Sequence, residues 1–227
     1  MPDIYATNDG HLNKNIPETA GGSWDAVRDA TGSSVESGET YTDRNFVRIR
    51  IFTYSGSTRW ILHRGFMEFD TSGISTAPLS ATLKIYCPSS GRTSSDNIVV
   101  KGTQSDSLTS GDFDNLDFNT PYSAELSTWT AGAYNDFTLN SDALTAMAND
   151  ATFKIAIINY DYDYLDVDPG PPSVTIEAGA NFSEGDSDKR PYISYVSAAP
   201  PEARQFTKIQ SKNASINIKK GNLTITK

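Results

Sequence analysis

The chain holds a single cysteine, two histidines and no long apolar run in its 227 residues, and these shortages set the first limits. One thiol forms no intrachain disulfide. Cys87 ends the alternating stretch LSATLKIYC, which places it in a core as an inert group rather than a nucleophile. His11 lies in a polar stretch and His63 in an apolar one, so they offer neither zinc-ligand spacing with Cys87 nor a nucleophile–base–carboxylate set. A glycine-rich phosphate loop at a strand-to-helix junction is also missing. Paired carboxylates of the glycosidase kind are not singled out by a chain with 28 acidic residues. The expectation is a protein that is not an enzyme and needs no cofactor. The opening MPDIYATNDGHLNKN is polar, which predicts neither a signal peptide nor a membrane anchor.

Positive charge is scarce as well. Nineteen Lys and Arg face 28 Asp and Glu, for a net charge of −9 and a pI near 4.7. Nucleic acid is excluded as a main partner on this balance, because phosphate binding needs a basic patch.

What is present is a pattern of short alternating segments between polar loops, with 37% hydrophobic and 21% charged residues. FVRIRIFTY (46–54) sets Val47, Ile49 and Ile51 opposite Phe46, Arg48, Arg50 and Phe52. In RGFMEFDTSGI (64–74), Phe66, Glu68 and Asp70 share one side and Gly65, Met67 and Phe69 the other; period alone does not choose the inner one. LSATLKIYC puts Leu79, Ala81, Leu83, Ile85 and Cys87 on one face. NIVVKGTQ, FKIAIINY, SVTIEA and PYISYVS complete a set of about eight strands with no βαβ alternation. NSDALTAMAND (140–150) predicts one short amphipathic helix with Asn140 or Ser141 as its N-cap, and WDAVRDA a short helical turn. The fold class expected is all-β: an antiparallel β-sandwich of jelly-roll type with one short helix and a C-terminal β-hairpin extension.

Three regions follow from composition. Residues 1–45 read as an N-terminal arm or loop region packed on the body, 46–197 as the β-sandwich, and 198–227 as a basic tail hinged at AAPPEA. Within 202–227, Arg204, Lys208, Lys212, Lys219, Lys220 and Lys227 face only Glu202, so the preceding residues are more acidic than the whole chain. SINIKKGNLTITK reads as a hairpin, which is marginal alone and needs a surface to pack on. Lys208, Lys212, Ile216, Ile218, Lys219, Lys220 and Ile225 are the candidate partner-binding residues.

The densest acidic segment is NYDYDYLDVDPGPPS (159–173). Read as a strand, it sets Asp161 and Asp163 on one face and Tyr160, Tyr162 and Tyr164 on the other. Oxygen-rich loops hold Ca²⁺, with Asp166 and Asp168 also in reach, but the segment lacks the Gly and terminal Glu of an EF-hand, and a solvated acidic edge is the default. The three tyrosines are candidate ligand-binding residues, a platform for sugar rings; packing against the protein's own sheet is the competing reading.

Phe69, Asp70, Ser72 and Ile74, followed by Ser80 through Tyr86, resemble the "FD-S-I … SATL-IY" core of DNRLRE-type domains, a group of secreted or surface β-sandwich modules. FSEGDSDKRPYISYV resembles that family's last strand through Ser183, Glu184, Arg190, Pro191 and Tyr195. The resemblance spans roughly residues 60–197 and rests on motif order. It implies a likeness to carbohydrate-binding jelly rolls, with related sequences among bacteriophage structural proteins. The chain departs from the secreted version in its polar start, its loop-rich N-terminal region and its basic tail. The function these departures favour is a non-enzymatic virion component, a head decoration or fibre, made in the host cytoplasm and bound to other virion proteins or to copies of itself. The alternative is a secreted or surface module that binds a polysaccharide.

Overall fold

The computed structural model describes residues 1–37, 43–89, 92–170, 174–183, 186–198, 215–219 and 222–226. Its strands are β1 (Asp3–Pro17), β2 (Ser34–Ser37), β3 (Asp43–Tyr54), β4 (Ser57–Asp70), β5 (Ser80–Cys87), β6 (Asn97–Gly102), β7 (Leu116–Pro121), β8 (Ala133–Thr138), β9 (Thr152–Asn159), β10 (Val174–Asn181), β11 (Tyr192–Val196), β12 (Ser215–Lys219) and β13 (Asn222–Thr226). Two helices interrupt them, α1 (Trp24–Arg28) and α2 (Ser141–Asn149). The fold is all-β and sandwich-like, a curled sheet in which each described strand pairing is antiparallel.

β4 organises the larger layer. On one side it pairs with β1 from Pro17↔Arg59 to Ala6↔Phe69. On the other it pairs first with β3, from Ser57 to His63, and then with β9, from Gly65 to Asp70. β6 and β7 extend the layer beyond β9, and β10 extends it beyond β3. β1 also builds the smaller layer: Asp3–Tyr5 pair with β11, which pairs with β5 and then β8. The switch between layers falls at a register shift between Ala6 and Asn8, where a bulge lets one strand turn a corner.

The reading of residues 1–45 as an arm or loop is therefore corrected. DIYATNDGHLNKNIP is a 15-residue strand inside both layers, held by backbone pairing although its side chains are mostly polar. Past it the chain doubles back so closely that a Cβ on Gly22 would lie 2.8 Å from the Ile16 and Pro17 backbone. β7 and β8 are strands as well, outside the segments whose alternation marked them. The helical turn at WDAVRDA is α1, capped by Ser23. α2 starts where its sequence predicts, with the Asn140 side chain accepting from the Asp142 and Ala143 amides.

Two cores result. Between the layers, Met67 and Phe69 of β4 meet Leu83, Ile85, Phe137, Phe153, Ile155 and Ile193. On the outer face of the large layer, Leu62 and Phe66 of β4 join Ile98, Val100, Ala156 and Ile158 under Trp24, Val27, Phe113 and Leu116. Both sides of RGFMEF are thus inward, which is why its alternation names no inner face. FKIAIIN is apolar at every position but Lys154 and Asn159 for the same reason: Phe153, Ile155 and Ile157 serve one core, Ala156 and Ile158 the other. In β5 the inward set is Ala81, Leu83, Ile85 and Cys87; Leu79 falls before the strand and is exposed.

Candidate functional site

The acidic tyrosine segment does not continue β9. Asn159 ends that strand, and its side chain accepts from the Tyr162 amide at 2.8 Å, closing a π-helical turn over Tyr160–Tyr164. In that turn Asp161 and Asp163 part company, which corrects the shared-face reading. Tyr160 and Tyr164 stack with ring centroids 5.6 Å apart and, with Tyr162, are half-buried against the outer core. They do not form an open row along a strand.

The turn has a visible cause. Asp163 is fully buried and takes a forked pair of hydrogen bonds from Arg64 of β4, Nε to Oδ2 and Nη2 to Oδ1, each 2.8 Å. The other donors of Arg64 reach the Phe113 carbonyl at 3.1 Å, Asp114 Oδ1 at 2.9 Å and the Arg28 carbonyl at 2.9 Å. Its guanidinium also lies over the Phe113 ring, 4.5 Å from the centroid. Burial works against this charge, but Asp163 and Asp114 outweigh it and hold the group above its ordinary value. Arg28 adds a bond from Nε to the Asp163 carbonyl and an ion pair with Asp166 at 3.4 Å. One buried cation thereby fastens α1, the 110–114 turn and the 160–164 turn onto β4. Its role is structural.

Asp161 turns away toward Asp96 and Glu125, each offering one oxygen within 4.8 Å of the others. Burial and then Asp161 push the Asp96 carboxyl up; burial and then Asp96 and Asp161 do the same to Glu125. Among the described residues, these three form a donor set that suits a hard cation. The spacing of Asp161, Asp163, Asp166 and Asp168 does not make a single calcium loop: Asp163 belongs to Arg64, Asp166 to Arg28, and Asp168 accepts from the Gly170 amide.

A different row of tyrosines crosses the outer face of the small layer. Tyr5 of β1 lies opposite Tyr192 of β11, with centroids 5.6 Å apart. Tyr192 meets Tyr134 of β8 edge-on at 5.3 Å, and Tyr134 meets Tyr86 of β5 edge-on at 5.3 Å. The Tyr134 hydroxyl donates to the Asp188 carbonyl at 2.9 Å, and burial followed by neighbouring tyrosines and aspartates pushes it up to about 12. Arg190 lies over Tyr5 at 4.6 Å and Lys189 over Tyr86 at 5.4 Å. Sequence reasoning missed this row because its members come from four strands and no local spacing links them.

The two histidines, far apart in the chain, also meet: His11 and His63 stack at 4.8 Å and 16°, with Glu36 Oε2 3.8 Å from His11 Nε2. Cys87 is fully buried, and burial pushes its thiol up. Among the C-terminal candidates, β12 and β13 pair Ile216 with Ile225, Ile218 with Leu223 and Lys219 with Asn222. Lys208, Lys212 and Lys220 lie outside the described residues.

No family model matches the chain, and no curated protein matches it. The likeness to DNRLRE-type domains therefore rests on the quoted motifs alone. Within the structure, the first motif falls on the end of β4, the loop after it and β5, and the second leads into β11, its Glu184 lying outside the described residues. No helix among the described residues is long and apolar enough to cross a membrane.

Proposed function

We propose that this chain is a non-enzymatic structural component of a bacteriophage particle, a head decoration or fibre subunit that attaches to other virion proteins or to its own copies through its C-terminal segment. The observation that carries this reading is the small sheet β12–β13, whose strands pair with each other and are not part of the eleven-stranded sheet. A two-stranded hairpin has too little burial to hold itself together in water. The excess of lysine and arginine around it, against an acidic body, gives it a different surface chemistry from the rest of the chain.

The N-terminal region has no equal share in attachment, because β1 is built into both layers. The two ends therefore respond differently to truncation. Removing residues 202–227 is expected to leave the thermal transition of the body in place while abolishing oligomer formation or incorporation into particles, read by sedimentation. Removing residues 1–17 is expected to abolish folding. Normal assembly without 202–227 would overturn the reading.

A further inference from the structure

The outer edges of the curled sheet differ in how they are closed. β7 is bent by a register shift against β6, ends in Pro121 and gives its Asn119 amide to the Asp117 side chain, features that blunt an edge. β10 is covered by residues 92–94: the Ser94 amide donates to the Glu177 carbonyl, the Gly179 amide to the Arg92 carbonyl and the Glu177 amide to Ser94 Oγ. β8, the last strand of the small layer, has no such cover. The Leu139 amide donates to the Ala81 carbonyl, and the pairs Leu83↔Phe137 and Ile85↔Asn135 follow in the same phase. Backbone groups alternate in direction along a strand. Those of Asn135 and Phe137 therefore serve β5, while the amides and carbonyls of Tyr134 and Asp136, with the Thr138 amide, point away from the sheet. Covering resumes at Asn140, whose amide reaches the Tyr122 carbonyl. Among the described residues, none bonds to the outward groups of Tyr134 and Asp136. Asp136 and Thr138 are exposed. Two β8 edges laid together would bring their Asp136 carboxylates close, which disfavours a second β8 as the occupant. A basic strand suits the edge better.

We infer that the β8 edge is the acceptor for the β12–β13 hairpin of another copy, which adds to the small layer by backbone pairing. The inference rests on the reading of the C-terminal segment as the attachment device, and it names what that segment attaches to. β12 and β13 bond to each other along one edge, which leaves each a second edge to offer. Each is five residues long, the length of the open stretch from Tyr134 to Thr138. Strand addition draws its affinity from main-chain bonds. The six basic residues of 202–227 against one acidic residue supply the charge match to Asp136. Residues 197–214 separate β11 from β12, enough chain to span roughly 60 Å when extended, so a neighbouring copy is within reach. A donor hairpin on one copy and an acceptor edge on the next make a head-to-tail contact, which repeats into a ring or a filament instead of stopping at a pair.

The test is sedimentation of the full-length chain and of two variants at one position. Asp136→Pro takes away an outward amide and none that serves β5, so it strikes the edge and spares the sheet. It should abolish oligomers as completely as removing 202–227 does. Asp136→Lys keeps every backbone group and reverses the charge, and should weaken association by about fivefold. Thermal melts show whether each variant is folded; Asp136→Lys carries the test if the proline disturbs the strand. Mixing Asp136→Pro, which keeps its hairpin, with the chain lacking 202–227, which keeps its edge, should restore a complex holding one of each. Parental assembly by both Asp136 variants would overturn the inference. So would a mixture that stays unassembled, or a parent that remains monomeric with the hairpin on its own β8. The two readings fail separately: assembly that survives removal of 202–227 defeats the attachment reading itself. Assembly that is lost with 202–227 but kept by the Asp136 variants defeats only the choice of acceptor.

Discussion

On its inner face the large layer meets the small one through Met67, Phe69, Phe153 and Ile155, side chains that need only shape and apolar surface. On its outer face it is covered by a five-residue helix and short turns, which have little regular structure of their own. There the apolar contacts of Trp24, Val27 and Phe113 are supplemented by Arg64, a buried cation with each arm of its guanidinium engaged. The contrast is between a core that closes because two sheets face each other and one that closes because a polar fastener holds loops down. Burying an ion pair is not in itself stabilising; removing one partner is what costs most, because the other is left charged and dry.

The largest expected effect is therefore on the outer side. Asp163→Ala should cost about 4 kcal/mol, a fall of roughly 10 °C in Tm for a chain of this size. Arg64→Met combined with Asp163→Leu should recover most of that loss, since an apolar pair of similar volume needs no fastening charge. A Tm for Asp163→Ala within about 2 °C of the parent would break the contrast.

Met67→Ala comes next, at about 3 kcal/mol from lost burial and a residual cavity. Its signature should differ in kind. Hydrogen exchange in Met67→Ala should rise together across β4, β5 and β9, because these strands share the inner core. In Asp163→Ala it should rise first in α1 and the 110–114 turn, with β5 still protected. Identical patterns in the two variants would show that the cores open as one unit.

How much of this contrast is legible in the sequence depends on what each residue faces. β5 is readable because Ala81, Leu83, Ile85 and Cys87 point to a core while Lys84 and Tyr86 point outward, the simplest case of period two. β1 is not, because Asp9 and His11 are buried polar residues and the strand changes layers partway, so no single alternation runs its length. Arg64 is hidden for a different reason. A charge in an alternating strand reads as solvent-facing, and its partner lies 99 residues away. The tyrosines of 159–164 mislead in the opposite direction: their even spacing imitates a strand, while Asn159 and the demand of Arg64 for a carboxylate turn the segment into a helical coil. Tyr5, Tyr86, Tyr134 and Tyr192 become a row only once the strand order is known.

Asp112 sharpens the comparison at the 110–114 turn. Burial pushes its carboxyl up, but hydrogen bonds from Ser105, the Thr109 amide and Asn115 prevail and hold it well below the usual carboxylate range. A carboxyl depressed by the fold contributes stability that is complete above its unfolded value of about 3.9 and is lost as the pH falls through the folded value. Asp112→Asn should cost about 2 kcal/mol at neutral pH, the usual worth of charge-assisted bonds. The gap between parent and variant should narrow as the pH is lowered below about 4. A gap that stays constant into acid would mean that the turn depends on shape rather than on charge.

The acidic trio at the other end of the 160–164 turn has the opposite sign and the smallest expected effect. Asp96 and Glu125 are pushed up, so the folded chain holds these protons more tightly than the unfolded chain does. Their contribution favours folding in acid, below the ordinary carboxyl values near 4, and is lost as the pH rises through the raised ones. At neutral pH the three charges oppose the fold, weakly, because Glu125 is exposed and water and salt screen it. Glu125→Gln, melted in buffer containing a chelator so that no cation offsets the repulsion, should therefore match or slightly exceed the parent Tm at pH 7. It should lose that advantage in acid and in high salt. A variant that melts below the parent at pH 7 would mean that Glu125 is held by favourable contacts, and that the trio is a built feature of the loops rather than a crowding of like charges.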